Sequence, residues 1–374
     1  MKILTIIHDF RGGGAEKVAV LLANEWQAKG CESEIICISE SGPFRTRVNP
    51  AVRVQCLNKA HAYAGILPLC ALLRNNRDAV VISHLTHMNA VCLLAGVLAQ
   101  HRRLFVVEHN DFVKARSDIT SLVTRGGHAA GPVLYNFAQR VICVSQSVSD
   151  SLPALLLGKG ERVCVVPNPL DLAEFRDAPS KADLHLWFCE SAPVLVACGR
   201  LTRQKNYDMM LHALCDVVRR TPVKLLILGE GPDRERLVAL AESLGVAESV
   251  EFVGFRKDPA AYFGKARLFV STSAWEGLPM TMIEALFSGA DMVVTNSCSD
   301  AAKLVNGGSF GVCVNSGEPS IFADAIIEQL SKPVAGVREK RRYLDNYSLP
   351  KIAAQYEALF RVSVGALEAP QVTV

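Results

Sequence analysis

Short apolar runs recur along the chain, each followed by turn residues and then by a stretch in which apolar positions return every third or fourth residue. The first kind reads as buried strand and the second as amphipathic helix. In the first half strands are predicted at 3–8, 32–39, 52–58, 79–85, 103–108, 140–145 and 162–166, and helices at 15–28, 62–74, 89–100, 130–138 and 146–156. A turn-rich connection, VVPNPLDLAEF at 165–175, interrupts the pattern. Alternation then restarts, with strands at 193–198, 223–229, 250–253, 267–273, 291–295 and 311–314 and helices at 206–219, 233–244, 280–288 and 319–331. Strand–helix alternation implies parallel, doubly wound sheets. Two runs of it imply two Rossmann-like domains, 1–168 and 169–348. The remaining 349–374 holds an amphipathic helix at 349–360, with Ile352, Tyr356, Leu359 and Phe360 on the side that packs back on the body, and a disordered tail, APQVTV.

In such sheets ligands gather beyond the carboxyl ends of the strands, so the residues at those ends carry the candidate chemistry. In STSAWEGLPMTMIEALFSG (271–289) a strand ends, Trp275, Glu276, Gly277, Leu278 and Pro279 make a turn, and a helix begins near Met280, with Thr281 as a candidate start. At about 1.5 Å of rise per residue, Glu284 falls about one turn inside that helix. Glu276 then faces what lies before the helix and Glu284 what lies beside it, with N–H groups between them that favour an anion. A phosphorylated sugar fits this arrangement. Two solvated glutamates flanking a turn have the same spacing.

Further strand ends add to it. The first strand runs into Arg11-Gly12-Gly13-Gly14 and a helix, where backbone N–H groups can approach a phosphate without a Cβ in the way. A tight connection needs the same glycines, and the turn is neither GxGxxG nor a Walker loop. His109 follows RLFVVE and Ser145 follows RVICV. Arg200 and Lys205 flank the loop GRLTRQKN, and two cations beside a helix start suit a diphosphate. The turns at Gly229 and at Gly254-Phe255 line the same edge and can hold a flat base.

At 374 residues the chain is too long for one ordinary core, and half of it is apolar, with mean hydropathy +0.21. The net charge is only +3, but its distribution is uneven. Residues 1–170 carry 18 Lys and Arg against 12 Asp and Glu, and the rest carry 22 against 25. A basic first half fits an anionic acceptor or an anionic membrane surface. The twelve cysteines form no CxxC pair and read as small core residues of a reduced cytosolic protein. The opening MKILTIIHDFRGGG has too short an apolar run for a signal peptide. Residues 79–101 carry no formal charge, but Ser83, His84, Thr86, His87 and Asn89 break the run, so strand, turn and helix explain it better than a membrane span.

Taken in order, the glycine-rich first loop, His109, PNPLD, GRLTRQKN, LGEGPDRERL, FVGF and EGLPMTMIEAL with its Glu-x7-Glu pattern resemble glycosyltransferase family 4, retaining enzymes of the GT-B fold. The resemblance covers most of the chain. It implies an α/β fold of two Rossmann-like domains facing an interdomain cleft, an acceptor side in the first domain and a nucleotide-sugar donor site in the second. It implies that Gly13 and Gly14 bring N–H groups to the donor diphosphate, that Arg200 and Lys205 neutralise it, and that Glu284 accepts hydrogen bonds from the ribose. Glu276, in the turn with Gly277 and Leu278, would hold hydroxyls of the donor sugar. His109 would contact that sugar, and Gly229, Gly254 and Phe255 would sit by the nucleotide.

The chain departs from the family pattern at Pro169 (PNP for PNG), at Pro279, at Asp291 where a proline is usual, and at SCSDAAKLV, which lacks the usual glutamate. The implied activity is metal-independent transfer, of the hexosyltransferase type, from a nucleotide-diphosphate sugar, UDP-linked, to a glycan acceptor. ISHLTHMN and the EGLP variant resemble bacterial members that extend lipid-linked oligosaccharides, which implies a cytoplasmic protein, peripheral at the inner membrane face. No cofactor, metal or nucleic acid is expected. The alternatives are a nucleotide-sugar epimerase or hydrolase on the same fold, or a non-catalytic nucleotide-sugar-binding partner.

Overall fold

The computed structural model describes the chain except for residues 12, 116–130, 132, 154–155, 157, 176–183 and 369–374. The chain divides into two compact units, one of Met1–Pro169 with Tyr347–Val374 and one of Leu170–Asn346. Each is built on a parallel sheet.

Among the described residues of the first unit, seven strands pair in the order β3-β2-β1-β4-β5-β6-β7. They are β1 (Lys2–Ile7), β2 (Glu32–Cys37), β3 (Arg53–Cys56), β4 (Val80–His84), β5 (Leu104–Glu108), β6 (Arg140–Cys143) and β7 (Val163–Val165). Ile3 stands between Ser33 on one side and Val80 on the other, so the order reverses between β1 and β4. Helices α1 (Gly14–Ala28), α2 (Ile66–Arg74), α3 (Thr86–Ala99) and α4 (Gln146–Ser151) connect the strands. Strands covered on both faces read as unbroken apolar runs, which is why β4 and β5 were legible: Val80, Val81, Ile82, Phe105, Val106 and Val107 are all buried.

The helix predicted at 146–156 stops at Ser151. Ser145 caps it, its hydroxyl accepting from the Val148 N–H (3.3 Å), and Leu152 is extended because Pro153 follows. Within the helix predicted at 130–138, the structure shows a 3₁₀ turn at Tyr135–Phe137; residues 130 and 132 lie outside the described residues, as does the tail APQVTV. The last helix, α12 (Leu349–Glu368), returns to the first unit. Phe360 packs edge-on against Trp26 of α1 and Phe105 of β5, with ring centroids 5.6 and 4.8 Å apart, and Lys29 reaches the Pro350 carbonyl (3.2 Å). Ile352, Tyr356 and Phe360 are buried and Leu359 is partly so.

Among the described residues of the second unit, six strands pair in the order β10-β9-β8-β11-β12-β13. These are β8 (Val194–Cys198), β9 (Lys224–Leu228), β10 (Val250–Gly254), β11 (Leu268–Ser271), β12 (Asp291–Thr295) and β13 (Gly311–Val314). Helices α5 (Tyr207–Val218), α6 (Arg234–Ser243), α8 (Met280–Ser288) and α10 (Pro319–Ser331) follow the predicted pattern. Three others were not predicted: α7 (Pro259–Phe263), α9 (Ser299–Leu304) and α11 (Val337–Tyr343). Five to seven residues make two turns or fewer, too short for a period to show.

Tertiary contacts hold α11 in place. Lys340, fully buried, donates to the Gly289 carbonyl and pairs with Asp291, each at 2.7 Å. Asp291 also accepts from the Gln329 amide at 3.3 Å. The aspartate that replaces the family's proline is thus the partner of a buried lysine.

Candidate active site

In the second unit the strand order reverses between β8 and β11, and the loops leaving their carboxyl ends carry the two most densely bonded candidates. The loop after β8 makes a 3₁₀ turn at Arg203–Lys205. Asn206, in the left-handed region at φ 50, then redirects the chain into α5. This geometry aims Lys205 at the loop after β11, where its ammonium bonds the Glu276 carboxylate. Glu276 is buried and Lys205 nearly so, their side chains 8% and 18% exposed. The two loops are also tied by backbone. Ala274 N–H donates to the Gln204 carbonyl (2.8 Å), the Thr272 hydroxyl to the Asn206 carbonyl (2.9 Å), and the Gln204 amide to the Trp275 carbonyl (3.0 Å). On the far side, Glu276 N–H donates to the Ser297 carbonyl (3.1 Å). The carboxylate is therefore fixed by its own main chain as well as by its cation.

Arg200 sits in the same loop as Lys205 but behaves differently. It is exposed, and its guanidinium has no partner among the described residues. Glu284, the fifth residue of α8, is 3% exposed. That helix starts at Met280 after Pro279, so Thr281 is inside it, and no side chain caps its first N–H groups.

The turns after β9 and β10 are stitched to the β8 loop. Gly199 N–H donates to the Leu228 carbonyl (3.0 Å), Leu201 N–H to the Glu230 carbonyl (3.0 Å), and Gly229 N–H to the Gly254 carbonyl (2.9 Å). Gly229 lies at φ +140, and a Cβ there would stand 2.0 Å from the Gly199 oxygen, so only glycine fits. Phe255 follows Gly254 and is 43% exposed.

In the first unit the carboxyl ends of β1, β4 and β5 gather histidines. His109 follows β5, His84 closes β4, and their rings share a hydrogen bond of 3.0 Å. His8 follows β1 and meets His87, in the first turn of α3, at 3.3 Å. Burial drives all four towards the neutral form, His109 to about 3 and His87 to about 4, and His84 well below the ordinary 6.5 with further repulsion from His109. Beneath His109, buried Glu108 accepts from the Tyr135 hydroxyl, the Thr86 hydroxyl (2.8 Å) and the Asn89 amide (2.9 Å). Its burial raises the carboxyl pKa despite these donors.

At the first turn, Gly13 caps α1 and its N–H donates to the Arg11 carbonyl (2.7 Å), while Gly14 opens the helix, where N–H groups have no intrahelical partner. Arg11 is held by Asp9 through its backbone (2.9 Å) and its guanidinium (2.6 Å).

The structure thus brings Arg200, Lys205, Glu276, Gly277 and Leu278 into one pair of loops, with Gly229, Gly254 and Phe255 on the neighbouring loops and Glu284 on the adjoining helix. His109, Gly13 and Gly14 belong to the first unit. Sequence reasoning missed Gln204, His8, His84 and His87 as members of these clusters. The two at strand ends, His8 and His84, were findable by the rule that selected His109. Among the described residues no cluster of His, Cys, Asp and Glu is arranged to ligate a metal, and none of the twelve cysteines forms a disulfide.

Residues 12–174 match the family model described as Glycosyltransferase Family 4, and residues 192–332 the model described as Glycosyl transferases group 1. A Campylobacter jejuni protein named N-acetylgalactosamine-N,N'-diacetylbacillosaminyl-diphospho-undecaprenol 4-alpha-N-acetylgalactosaminyltransferase is 33% identical over 129 residues, 34% of this chain and 35% of that one. The lipopolysaccharide core biosynthesis glycosyltransferase LpsE of Rhizobium meliloti is 33% identical over 136 residues, 36% and 38% of the two chains. The matched stretches thus span little over a third of these two relatives. A longer match, 25% identical over 334 residues and 84% of each chain, is to a second C. jejuni protein, the GalNAc-alpha-(1->4)-GalNAc-alpha-(1->3)-diNAcBac-PP-undecaprenol alpha-1,4-N-acetyl-D-galactosaminyltransferase. In fold, the crystal structure of Anabaena HepE in complex with UDP and glucose superposes with a TM-score of 0.81 at 20% identity, covering 97% of this chain and 100% of that one.

Proposed function

The chain belongs to glycosyltransferase family 4 and has the GT-B fold, and from that premise we propose that it transfers a sugar, with retention, from a UDP-sugar to a lipid-linked glycan. The observation that carries this reading is the Lys205–Glu276 pair at the switch point of the second sheet, with the unpartnered Arg200 beside it. A cation that can grip a diphosphate and a fixed carboxylate that can accept sugar hydroxyls are what a nucleotide-diphosphate sugar needs at adjoining positions. The lipid-linked acceptor is supported by the two C. jejuni relatives, whose names contain undecaprenol, and the UDP donor by the UDP bound in the HepE structure.

In this reading the anomeric C–O bond breaks and its electron pair leaves with the diphosphate. Arg200 and Lys205 offset the charge that grows on the leaving oxygens, which is why no metal is invoked. The acceptor hydroxyl attacks from the same face and its proton passes to the leaving phosphate oxygen. Glu276 orients the donor sugar, Glu284 the ribose, and Phe255 and its neighbouring turns the base. His109, neutral at ordinary pH, offers the donor sugar a hydrogen bond without adding charge.

Removing one such electrostatic partner typically costs about 10²–10³ in rate. Arg200→Ala is therefore expected to lower release of UDP from a matched UDP-sugar by that order while leaving the unfolding midpoint unchanged, since the side chain is exposed. Incubation with a panel of UDP- and GDP-sugars, with and without a polyprenyl-diphosphate glycan, identifies the donor and separates transfer from hydrolysis or epimerisation. Full turnover in Arg200→Ala would refute the mechanism.

A further inference from the structure

The helices that cover one face of the first sheet are apolar on both sides. Their inner residues, among them Leu69, Leu73, Met88 and Leu93, are buried as expected. On a solvent-facing helix the opposite side is normally polar. Here Leu67 is 74% exposed, Leu98 51%, Val97 43% and Leu94 39%, and Tyr63, just before α2, 51%. Along α3 there is no charged residue at all, and α2 has only Arg74, in its last turn.

The charge around this face is one-sided. Residues 59–107 contain five Lys and Arg and a single acid, Asp78, whereas Arg45 and Arg53 before them are paired with Glu40 and Glu34. Arg74 donates to the Leu98 carbonyl (3.0 Å), so the ends of α2 and α3 meet and place a cation beside the exposed leucine. Arg103 donates to the Asp78 carbonyl (2.7 Å) at the same edge. Arg77, Arg102 and, before α2, Lys59 are exposed and have no acidic partner among the described residues.

We propose that the outer face of α2 and α3 docks on an anionic lipid bilayer, with Leu67, Leu94, Val97 and Leu98 in the acyl boundary and Arg74, Arg77 and Arg102 among the headgroup phosphates. A second copy of the chain is a poor occupant, because a two-fold contact would set this basic rim against itself. A bilayer supplies apolar area and negative charge together. Among the described residues no helix is long and apolar enough to cross a membrane, so the contact is interfacial. The proposal rests on the reading of a lipid-linked acceptor for its purpose, but its measurement does not depend on turnover.

The test is flotation of the full chain with phosphatidylglycerol-containing vesicles and with phosphatidylcholine vesicles, at low and high salt. Binding is expected to the anionic vesicles only and to weaken with salt. Arg77→Gln with Arg102→Gln is expected to weaken it about thirtyfold, the equivalent of about 1 kcal/mol for each basic residue. Leu94→Gln with Val97→Gln is expected to abolish it. Both pairs are exposed, so the unfolding midpoint and UDP-sugar hydrolysis without vesicles should match the unsubstituted protein. No flotation of the unsubstituted protein, equal flotation of either variant, or loss of an oligomer in the apolar variant without vesicle binding would each overturn the proposal. Flotation without any sugar turnover would leave this surface standing and remove the transferase reading instead.

Discussion

Lys205 and Glu276 neutralise each other, so a diphosphate that recruits Lys205 must draw it from Glu276. The consequence is a split between binding and turnover. In Glu276→Gln the lysine is released from its carboxylate, and affinity for the free nucleoside diphosphate should rise about tenfold, close to the lower end for a hydrogen bond to a charged group. Turnover should fall, because the amide no longer accepts as a carboxylate does. Calorimetric titration with UDP beside steady-state rates reads both, and weaker UDP binding in the variant would contradict the linkage. Glu276 and Glu284 stood out in the sequence through the Glu-x7-Glu pattern of the family, since two solvated glutamates flanking a turn have the same spacing. That Glu276 would be paired was not legible, because its partner lies 71 residues earlier, in the loop after β8, which becomes a neighbour only when the sheet forms.

At the scale of elements, what the sequence hid was the short and the conditional. The inner strands were legible because parallel strands are buried on both faces, while α7, α9 and α11 depend on contacts that periodicity cannot express. The clearest case is α11, whose buried Lys340 needs Asp291. Removing one partner of a buried ion pair typically costs about 3–5 kcal/mol, because the other charge is left unsolvated. Asp291→Ala is expected to lose stability on that scale in urea unfolding. Asp291→Leu combined with Lys340→Met should recover most of it. If the single variant is as stable as the unsubstituted chain, Asp291 is not what holds the lysine.

At the scale of the whole molecule, the two units meet acid unequally. The first holds His84, His87 and His109 neutral by burial, below the ordinary 6.5 that each regains on unfolding. The native state then binds fewer protons than the unfolded chain, so stability is complete above about pH 6.5 and falls as pH drops towards the folded values near 4 and 3. The thermal midpoint of the first unit should fall from about pH 7 to about pH 5, and His87→Gln should flatten that slope. A midpoint indifferent to pH over this range would show that the histidines are not held neutral. The doubling of the fold was plain from the restart of alternation near 193, and the departures from the family pattern marked where this chain differs. The histidine cluster was only partly visible, since His8, His84 and His109 are far apart in sequence and share only their places at the ends of adjacent strands.

The return of α12 to the first unit bears on how the protein is made. As the chain emerges from the ribosome, Trp26 and Phe105 have no Phe360 to meet until α12 follows, by which time Leu170–Asn346 is already complete. The half synthesised first is therefore the half finished last, and a premature stop before α12 would leave its aromatic core open while sparing the later half.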